Sequence, residues 1–173
     1  MSNIYNIRNI FKENERKNYL KIIKPLILSD EEVQKRWNLK GDLFYPGKQS
    51  LPNLQYLIPL KPFHKRILEV IKEMTGIDVL VQGSWANWTN GNTKDVAFHT
   101  HDPSDYAVVY YLKTSFFNDG TIFEDKGFIK APQNSILFFP AHLKHSAPTF
   151  WRNNPFRLSR YTVACNLGVK KSK

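Results

Sequence analysis

The spacing of apolar residues changes at Gly76, and this change constrains the fold more than any other feature of the chain. Before Gly76, over Lys61–Thr75, apolar side chains recur every three or four positions, which predicts an amphipathic helix. After Gly76, apolar and polar residues alternate in roughly eight short segments separated by turn-forming residues, which predicts strands. The predicted strands are 79–82, 84–88, 95–99, 106–112, 121–123, 128–129, 135–139 and 160–167.

The predicted helix over Lys61–Thr75 has a start and a stop signal. Pro62 suits its first turn, and Gly76 suits its end. His64 falls on the polar side, so we expect it at the surface. We expect an apolar stripe to pack on the outside of a sheet, formed by Phe63, Ile67, Val70, Ile71 and Met74.

Three weaker elements precede this helix. We expect a short strand at 4–7 and a lysine-rich, weak helix over 12–23. Ser29 and Glu32 have the spacing of a capping box, which predicts another helix running to about Asn38.

The order of the elements, helices first and strands after, argues against βαβ units. So many short strands in succession are typical of a sandwich or barrel. We therefore predict a mainly β (α+β) fold: a double-stranded β-helix, that is, a jelly roll or cupin-like fold, with N-terminal helices packed on one sheet. The length of 173 residues fits one domain over 1–173, with 1–76 as helical and irregular support and 77–168 as the β core.

Composition narrows the class of protein. Hydrophobic residues make up 42% of the chain, enough for a packed core, and no apolar run reaches the length of a membrane span. The N-terminus lacks a signal-peptide pattern, and a single cysteine, Cys165, excludes an intrachain disulfide. We therefore predict a cytoplasmic protein without a membrane partner. The net charge of +10 permits a nucleic acid partner but does not favour one, because no nucleic-acid-binding motif accompanies it.

Histidines mark the candidate site. His99 and His101 stand two positions apart, and a strand sends such residues to the same face. His145 can supply a third imidazole from a distant strand, leaving one side of a shared metal open for chemistry. Arg160 opens an alternating strand further on and adds a fixed positive charge. The competing interpretation is three unrelated polar histidines.

A resemblance to a known family rests on an ordered set of segments: Trp85-Ala86-Asn87-Trp88, His99-Thr100-His101, Val108-Val109-Tyr110-Tyr111-Leu112, Ile136-Leu137-Phe138-Phe139-Pro140, His145 and 160–166. The set is similar to that of the iron(II)- and 2-oxoglutarate-dependent oxygenases, and among these to a small branch common in bacterial and bacteriophage genomes. The similarity runs from about Trp85 to Asn166, roughly half of the chain.

The resemblance implies a hydroxylase that uses Fe(II), 2-oxoglutarate as a cosubstrate, and O2. The three histidines would hold the iron. Arg160 would pair with the far carboxylate of 2-oxoglutarate through two parallel hydrogen bonds. Tyr111 would offer its phenol to the same carboxylate, and Asn87 would bond the cosubstrate or the substrate. The substrate stays open among a peptide, a small metabolite and a nucleobase.

One position departs from the family. Better-known relatives carry an acid two residues after the first histidine, where this chain has His101. Three interpretations stay open. The metal ligands are three imidazoles, or Asp102 or Asp105 replaces His101 as a ligand, or water completes the ligand set while His101 contacts the ligands without binding the metal. Strand alternation favours the first, because it points Asp102 away from His99. Neutral imidazole suits zinc and copper as well as iron.

Two other functions fit parts of the pattern. A cupin-like dioxygenase would use three histidines without 2-oxoglutarate and would have no use for Arg160. A non-catalytic jelly-roll binding module would leave the histidines incidental, and the role of His142 stays open in every case. We also expect a mobile lid or substrate loop over 150–156. A dry apolar shell is expected from Phe98, Phe138, Phe139 and Phe150.

Overall fold

The computed structural model describes residues 3–29, 31–32, 35, 48–90, 96–114, 119–148 and 159–170. Its strands are β1 (Tyr5–Arg8), β2 (Lys48–Gln49), β3 (Val79–Thr89), β4 (Tyr106–Lys113), β5 (Gly120–Phe123), β6 (Gly127–Lys130), β7 (Ser135–Pro140), β8 (His145–Ser146) and β9 (Arg160–Val169). The α-helices with defined bounds are α1 (Glu13–Ile23) and α2 (Lys61–Thr75), and short 3-10 turns cover Lys24–Leu26, Leu54–Tyr56 and Ile58–Leu60. Within these ranges, no helix is both long enough and apolar enough to cross a bilayer.

The strands form two antiparallel sheets. The larger has the order β1-β7-β4-β9-β3-β2, and the smaller has the order β6-β5-β8. The non-sequential order means that strands distant in the chain lie side by side, as in a jelly roll. This confirms the predicted double-stranded β-helix with helices against one sheet.

Helix α2 has the predicted bounds and covers the outer face of the larger sheet. Gly76 ends it with a φ of 75°, which a residue with a Cβ rarely adopts. Phe63 is fully buried and stacks on Phe11, and its ring meets Tyr110 of β4 edge-on. Met74 does not join this packing: it is 62% exposed, because the last turn of the helix extends past the buried core.

The prediction of a surface position for His64 is wrong. The residue is buried, with only 6% of its surface exposed. Its Nδ1 lies 2.9 Å from the carbonyl oxygen of Leu60, and its Nε2 lies 2.9 Å from Oγ of Ser84 on β3. Burial lowers the pKa of His64, and the two hydrogen bonds replace those that the neutral ring would make with water.

Most predicted strands are present, with different limits. The two segments predicted at 79–82 and 84–88 are one strand, β3, with an irregularity between Val81 and Gly83. The strand predicted over 95–99 is wrong in its described part, where only His99 pairs, through an isolated bridge to His145. The pairing stops there, because the next inward N–H, that of His101, donates to the carbonyl of Ala141 instead.

Near the N-terminus, the short strand and the first helix are both confirmed, as β1 and α1. The capping box is present too: the Glu32 carboxylate accepts from the N–H and Oγ–H of Ser29 at 2.8 and 2.9 Å. The predicted end of that helix near Asn38 lies outside the described residues.

The larger sheet has two faces of different character. One face joins the helices around a large apolar core that includes Tyr110, Phe138 and Val163. The other face looks toward the smaller sheet and holds a second, smaller core. Strand alternation turns Arg160, Thr162, Ala164 and Asn166 of β9 to this inner face, beside the histidines.

Candidate metal centre

Three histidines converge on the inner side of the molecule. The ligand atoms of His99, His101 and His145 all lie within 4.8 Å of one another, and no other group of this kind occurs among the described residues. The Nε2 atoms of His101 and His145 approach to 3.2 Å. The ring centroid of His99 lies 5.3 Å from the ring centroid of His101 and 4.5 Å from that of His145.

Backbone pairing brings the two segments together. His99 and His145 exchange both N–H···O bonds, at 2.9 and 3.0 Å, so their Cα atoms stand directly opposite each other. The N–H of His101 then donates to the carbonyl of Ala141 at 2.9 Å. His145 also pairs with Phe123 of β5, so the imidazoles stand where the 96–101 segment meets the smaller sheet.

The hydrogen bonds of two rings define which nitrogen is available. His99 Nδ1 lies 2.9 Å from the carbonyl of Ala97, and His145 Nδ1 lies 2.8 Å from the carbonyl of Leu143. A carbonyl oxygen only accepts, so both Nδ1 atoms carry the proton and both Nε2 atoms present a lone pair. Metal-binding histidines are commonly oriented in this way.

Electrostatics keeps the inner histidines neutral at neutral pH. Burial lowers the pKa of His145 to about 3, although its bond to Leu143 opposes the shift. Burial also lowers the pKa of His101 to about 4, with a further lowering from His99. Because a metal binds the unprotonated imidazole, these rings need not lose a proton to act as ligands.

The arrangement suits a divalent transition metal. Two imidazole nitrogens about 2.1 Å from one ion, at angles of roughly 90–110°, lie about 3.0–3.4 Å apart. The 3.2 Å separation between the Nε2 atoms of His101 and His145 falls in this range. All three donors are imidazole nitrogens, a set that suits iron, zinc or copper better than magnesium or calcium.

The carboxylates considered as alternative ligands lie elsewhere. Asp102 is exposed to solvent. Asp105 is turned to the end of β9, where its Oδ2 accepts the N–H of Val169 at 2.7 Å. His142 is also exposed and is not among the three converging histidines. The geometry therefore brings three imidazoles together and leaves both acids apart from them.

Arg160 is a buried cation on the inner face, with 1% of its surface exposed. Its Nε donates to Oγ1 of Thr89 at 3.2 Å, and its Nη1 makes a long 3.5 Å contact with the carbonyl of Pro148. Its Nη2 has no hydrogen-bond partner in the described part of the chain. A buried guanidinium without an anion is costly, so this nitrogen suits a bound carboxylate.

Tyr111 and Asn87 also occupy the inner face. Tyr111 is buried opposite Thr162 of β9, and its hydroxyl lies 2.7 Å from Oγ1 of Thr121. Asn87 is buried too, and its Oδ1 accepts from Nε2 of Gln49 at 2.9 Å. Both residues are therefore on the predicted side of the sheet, each oriented by a neighbouring polar side chain.

The apolar shell differs from the expected one. Phe139 contacts both His101 and His145, as predicted, at centroid distances of 6.5 and 4.7 Å. Phe138 faces the helices instead, where it stacks on Tyr106, because adjacent strand residues point to opposite faces. Phe98 is 42% exposed and does not shield the site. Phe150 and the expected lid over 150–156 lie outside the described residues.

Three residues around the imidazoles had no role in the sequence-based shell. Phe123 packs against His145 at 5.8 Å, and Trp85 packs against His101 at 5.7 Å. Asn166 lies on the same face of β9 as Arg160, and its buried Oδ1 has no hydrogen-bond partner in the described part of the chain. Strand alternation along β9, counted from Arg160, could have placed Asn166 on the inner face. The positions of Phe123 and Trp85 beside the histidines could be recognised only from the tertiary structure.

The fold matches solved oxygenase structures, although no family model matches the sequence and no curated protein matches it. A prolyl hydroxylase from Trichoplax adhaerens, in complex with a hypoxia inducible factor peptide, has a TM-score of 0.68 at 11% identity, covering 95% of this chain and 83% of its own. HygX from Streptomyces hygroscopicus, with nickel, 2-oxoglutarate and hygromycin B bound, has a TM-score of 0.67 at 10% identity, covering 96% and 83%.

A third similar structure is SnoN, a non-heme alpha ketoglutarate dependent epimerase from nogalamycin biosynthesis. Its TM-score is 0.69 at 10% identity, covering 96% of this chain and 78% of SnoN. The chain therefore has the fold of the 2-oxoglutarate-dependent oxygenases, which confirms the fold that the sequence resemblance implied. Since a hydroxylase and an epimerase share it, the fold does not choose the reaction.

Proposed function

We propose that this protein is a non-haem iron(II)- and 2-oxoglutarate-dependent oxygenase. The observation that carries the proposal is the convergence of three imidazoles on the same inner side as a buried arginine whose Nη2 has no partner among the described residues. Packing alone does not account for the arginine, because a buried guanidinium nitrogen without a partner is costly. Together the histidines and the arginine offer a metal site and a carboxylate site inside an oxygenase fold.

The three histidines, His99, His101 and His145, hold the iron in this proposal. When bound, Fe(II) with 2-oxoglutarate and O2 supplies the oxidising power, while 2-oxoglutarate gives succinate and CO2. The protein supplies orientation and exclusion of water. Two imidazoles are oriented through Ala97 and Leu143, and Phe139 and Phe123 cover His145 on its apolar side.

Arg160 binds the far carboxylate of 2-oxoglutarate in this proposal. Its Nε bond to Thr89 leaves Nη2 to donate to that anion, with Nη1 beside it. Tyr111 helps to bind the same carboxylate through its hydroxyl, which is hydrogen-bonded to Thr121. Asn87 offers its amide to the cosubstrate or the substrate. A cupin-like dioxygenase without 2-oxoglutarate would leave the buried charge of Arg160 without a purpose.

The all-imidazole ligand set is part of the proposal. It is supported by the positions of Asp102, at the surface, and Asp105, bonded to Val169. Without a protein carboxylate, the site carries the full charge of the metal. We therefore expect the metal and the 2-oxoglutarate dianion to strengthen each other's binding by the same factor.

Hydroxylation is the reaction that we propose, on a peptide or small-molecule substrate. The similar prolyl hydroxylase was solved with a peptide, and HygX with hygromycin B, so the same fold receives both kinds of molecule. Trp85, which is partly exposed, packs beside His101 and can line the substrate's approach. We also propose that residues 1–173 form one domain, since β1 near the N-terminus pairs with β7 of the β core. We further propose that the protein works in the cytoplasm, because its single cysteine, Cys165, is buried as a free thiol.

Anaerobic addition of Fe(II) and 2-oxoglutarate tests the proposal. The ternary complex should give a weak visible metal-to-ligand charge-transfer band that disappears on admission of O2, with release of succinate. Iron binding that is indifferent to 2-oxoglutarate would favour a cupin-like dioxygenase. Failure to bind iron would favour a non-catalytic binding module. A substrate library scored by succinate release would then identify the substrate and the reaction.

A further inference from the structure

The segment that carries His99 has two edges, and only one of them is paired within the described part of the chain. The backbone N–H and C=O of His99 both bond to His145, at 2.9 and 3.0 Å. A peptide unit is planar and trans, so its C=O and N–H point in opposite directions. The C=O of Phe98 and the N–H of Thr100 therefore point away from His145, toward the second edge.

A third backbone group extends this second edge. The N–H of His101 donates to the carbonyl of Ala141 at 2.9 Å, so the C=O of Thr100 points away from Ala141. Among the described residues, neither Phe98 nor Thr100 takes part in a backbone hydrogen bond. Both are exposed, Phe98 to 42%, so the edge can be reached from solvent.

The sequence of this edge does not protect it from pairing. Natural proteins commonly protect an open strand edge with lysine, proline or a covering element. The stretch 97–100 contains neither lysine nor proline, and it exposes the large apolar ring of Phe98. An edge of this kind is a template for pairing with another chain.

A polypeptide backbone is the ligand that matches the edge. The edge offers an acceptor on Phe98 and then a donor and a second acceptor on Thr100. The main chain of an extended peptide supplies complementary groups at the same repeat, which a single metabolite or nucleobase does not. In strand addition, these main-chain bonds provide affinity, and the surroundings of alternate side chains provide specificity.

Pairing at this edge would bring one peptide residue close to the metal centre. Neighbouring strands lie about 4.8 Å apart, and residues opposite each other send their side chains to the same face. A peptide residue opposite His99 would therefore direct its side chain to the inner side, next to that imidazole. Trp85, whose ring packs against His101 at 5.7 Å, supplies apolar surface on the inner face.

Charge favours an acidic peptide over a second copy of this chain as the occupant. Each copy carries a formal net charge of +10 at pH 7, so two copies repel each other. The same charge attracts a peptide of negative net charge and accelerates its encounter with the edge.

We propose that the substrate is an extended segment of an acidic polypeptide, which adds as a strand to the edge formed by Phe98 and Thr100 and places one side chain beside His99. This inference names the substrate class of the proposed oxygenase and rests on that function.

An array of capped nonapeptides tests the substrate class. The peptides carry two glutamates at each end and every combination of residues at the three central positions. We expect a subset to bind the zinc-loaded full chain. The same subset should raise succinate release by the iron-loaded chain above its peptide-free rate. Versions with lysines in place of the glutamates should bind more weakly, most of all at low salt.

Methylation of single backbone nitrogens in the tightest-binding peptide tests the mode of binding. A methyl group on a nitrogen that faces the edge removes a hydrogen bond and separates the two strands, so it should weaken binding by about tenfold or more. A methyl group on the next residue points away from the edge and should have a far smaller effect. The losses should therefore alternate with a period of two residues.

Thr100→Pro tests the edge from the side of the protein. The N–H that it removes has no backbone partner among the described residues, and proline is tolerated at such edge positions. Peptide affinity should fall by about tenfold or more, while the charge-transfer band with Fe(II) and 2-oxoglutarate persists. Thr100→Ala keeps the N–H and is the matched control, with peptide affinity close to that of the wild type.

The results separate this inference from the proposed function. If the charge-transfer band forms but no peptide of the array binds, or the methylation losses do not alternate, the substrate class is wrong and the oxygenase proposal stands. If the peptide results are as expected but 2-oxoglutarate leaves the Fe(II) spectrum unchanged, the edge binds peptides and the oxygenase proposal fails. Dimerisation of the wild type that Thr100→Pro abolishes would assign the edge to a second copy and overturn the inference.

Discussion

The two faces of the larger sheet both bury histidines, and they treat them differently. On the outer face, His64 has partners for both ring nitrogens, Leu60 and Ser84. On the inner face, His101 and His145 direct their Nε2 atoms at each other across 3.2 Å. The His64 ring stabilises the packing of α2 on the sheet, whereas two Nε2 atoms that face each other can both bind one cation.

The same contrast extends to other polar groups. On the outer face, the Tyr110 hydroxyl donates to Oδ1 of Asn134, whose amide in turn donates to the carbonyl of Phe11. On the inner face of β9, Arg160 Nη2 and Asn166 Oδ1 are buried without such partners in the described part of the chain. Buried polar atoms are almost always satisfied where they serve stability alone. This contrast supports the proposal that the inner face is the functional side of the sheet.

Removing one inner imidazole should have the largest effect. His145→Ala should lower metal affinity by more than about 100-fold, since changes to partners one step from a metal already cost 10–100-fold. Succinate release should fall to background. His64→Gln, the matched change on the outer face, should alter thermal stability but leave metal affinity as in the wild type. Equal loss of metal binding in both variants would contradict the distinction between the faces.

A large truncation on the outer face should act on stability alone. Phe63 is fully buried against Phe11, Tyr19 and Tyr110. Phe63→Ala should lower the free energy of unfolding by about 3–5 kcal/mol in denaturant titrations. Metal affinity, measured below the unfolding transition, should stay within twofold of the wild type. A loss of affinity in folded protein would show that the outer core also shapes the metal site.

Within the inner face, the metal and carboxylate sites should separate. Arg160→Ala should weaken 2-oxoglutarate binding by about 30-fold or more, because losing one partner of a buried charge pair costs about 2–5 kcal/mol. Iron affinity without 2-oxoglutarate should be retained. Arg160→Lys should recover part of the loss, since lysine keeps the charge but not the planar fork. Arg66→Ala, on the exposed side of α2, is the control. Normal 2-oxoglutarate binding by Arg160→Ala would remove this residue from the site.

Acid should destabilise the metal-free protein through its buried histidines. The pKa values of His64, His101 and His145 are all lowered by burial, the latter two to about 4 and 3. Below pH 6.5 the unfolded chain takes up protons that the folded chain does not. The free energy of unfolding should therefore decrease as the pH is lowered. Each such group contributes up to about 1.4 kcal/mol per pH unit.

Urea titrations of the metal-free protein between pH 7.5 and 5 check this dependence. His64→Gln should reduce the slope by one residue's share, and added Zn²⁺ at pH 7 should raise the midpoint by mass action. A stability that is flat over this pH range would mean that these rings are protonated as readily in the folded chain as in the unfolded one.

Much of the fold was available from the sequence because it depends on local pattern. Alternation predicted β4, β7 and β9 nearly to their limits, and the 3.6-residue period with a closing glycine predicted α2. Strands β2 and β8, at two residues each, are too short to carry an alternation. The fold class required only the number of strands and their order after the helices.

Assignments that depend on tertiary partners could not be made in the same way. The burial of His64 requires Ser84, which lies 20 residues later on β3. Phe138 and Phe139 belong to one apolar run, in which alternation shows that they face opposite ways but not which of them faces inward. The convergence of the histidines was predictable from spacing, whereas the packing of Trp85 and Phe123 against their rings was visible only in the tertiary structure.

A crystal structure of the full chain, grown anaerobically with Fe(II) and 2-oxoglutarate, tests the central claim most directly. We predict iron about 2.0–2.2 Å from the Nε2 atoms of His99, His101 and His145, with the far carboxylate of 2-oxoglutarate on Arg160. Iron bound by Asp102 or Asp105 in place of His101, or 2-oxoglutarate away from Arg160, would contradict it.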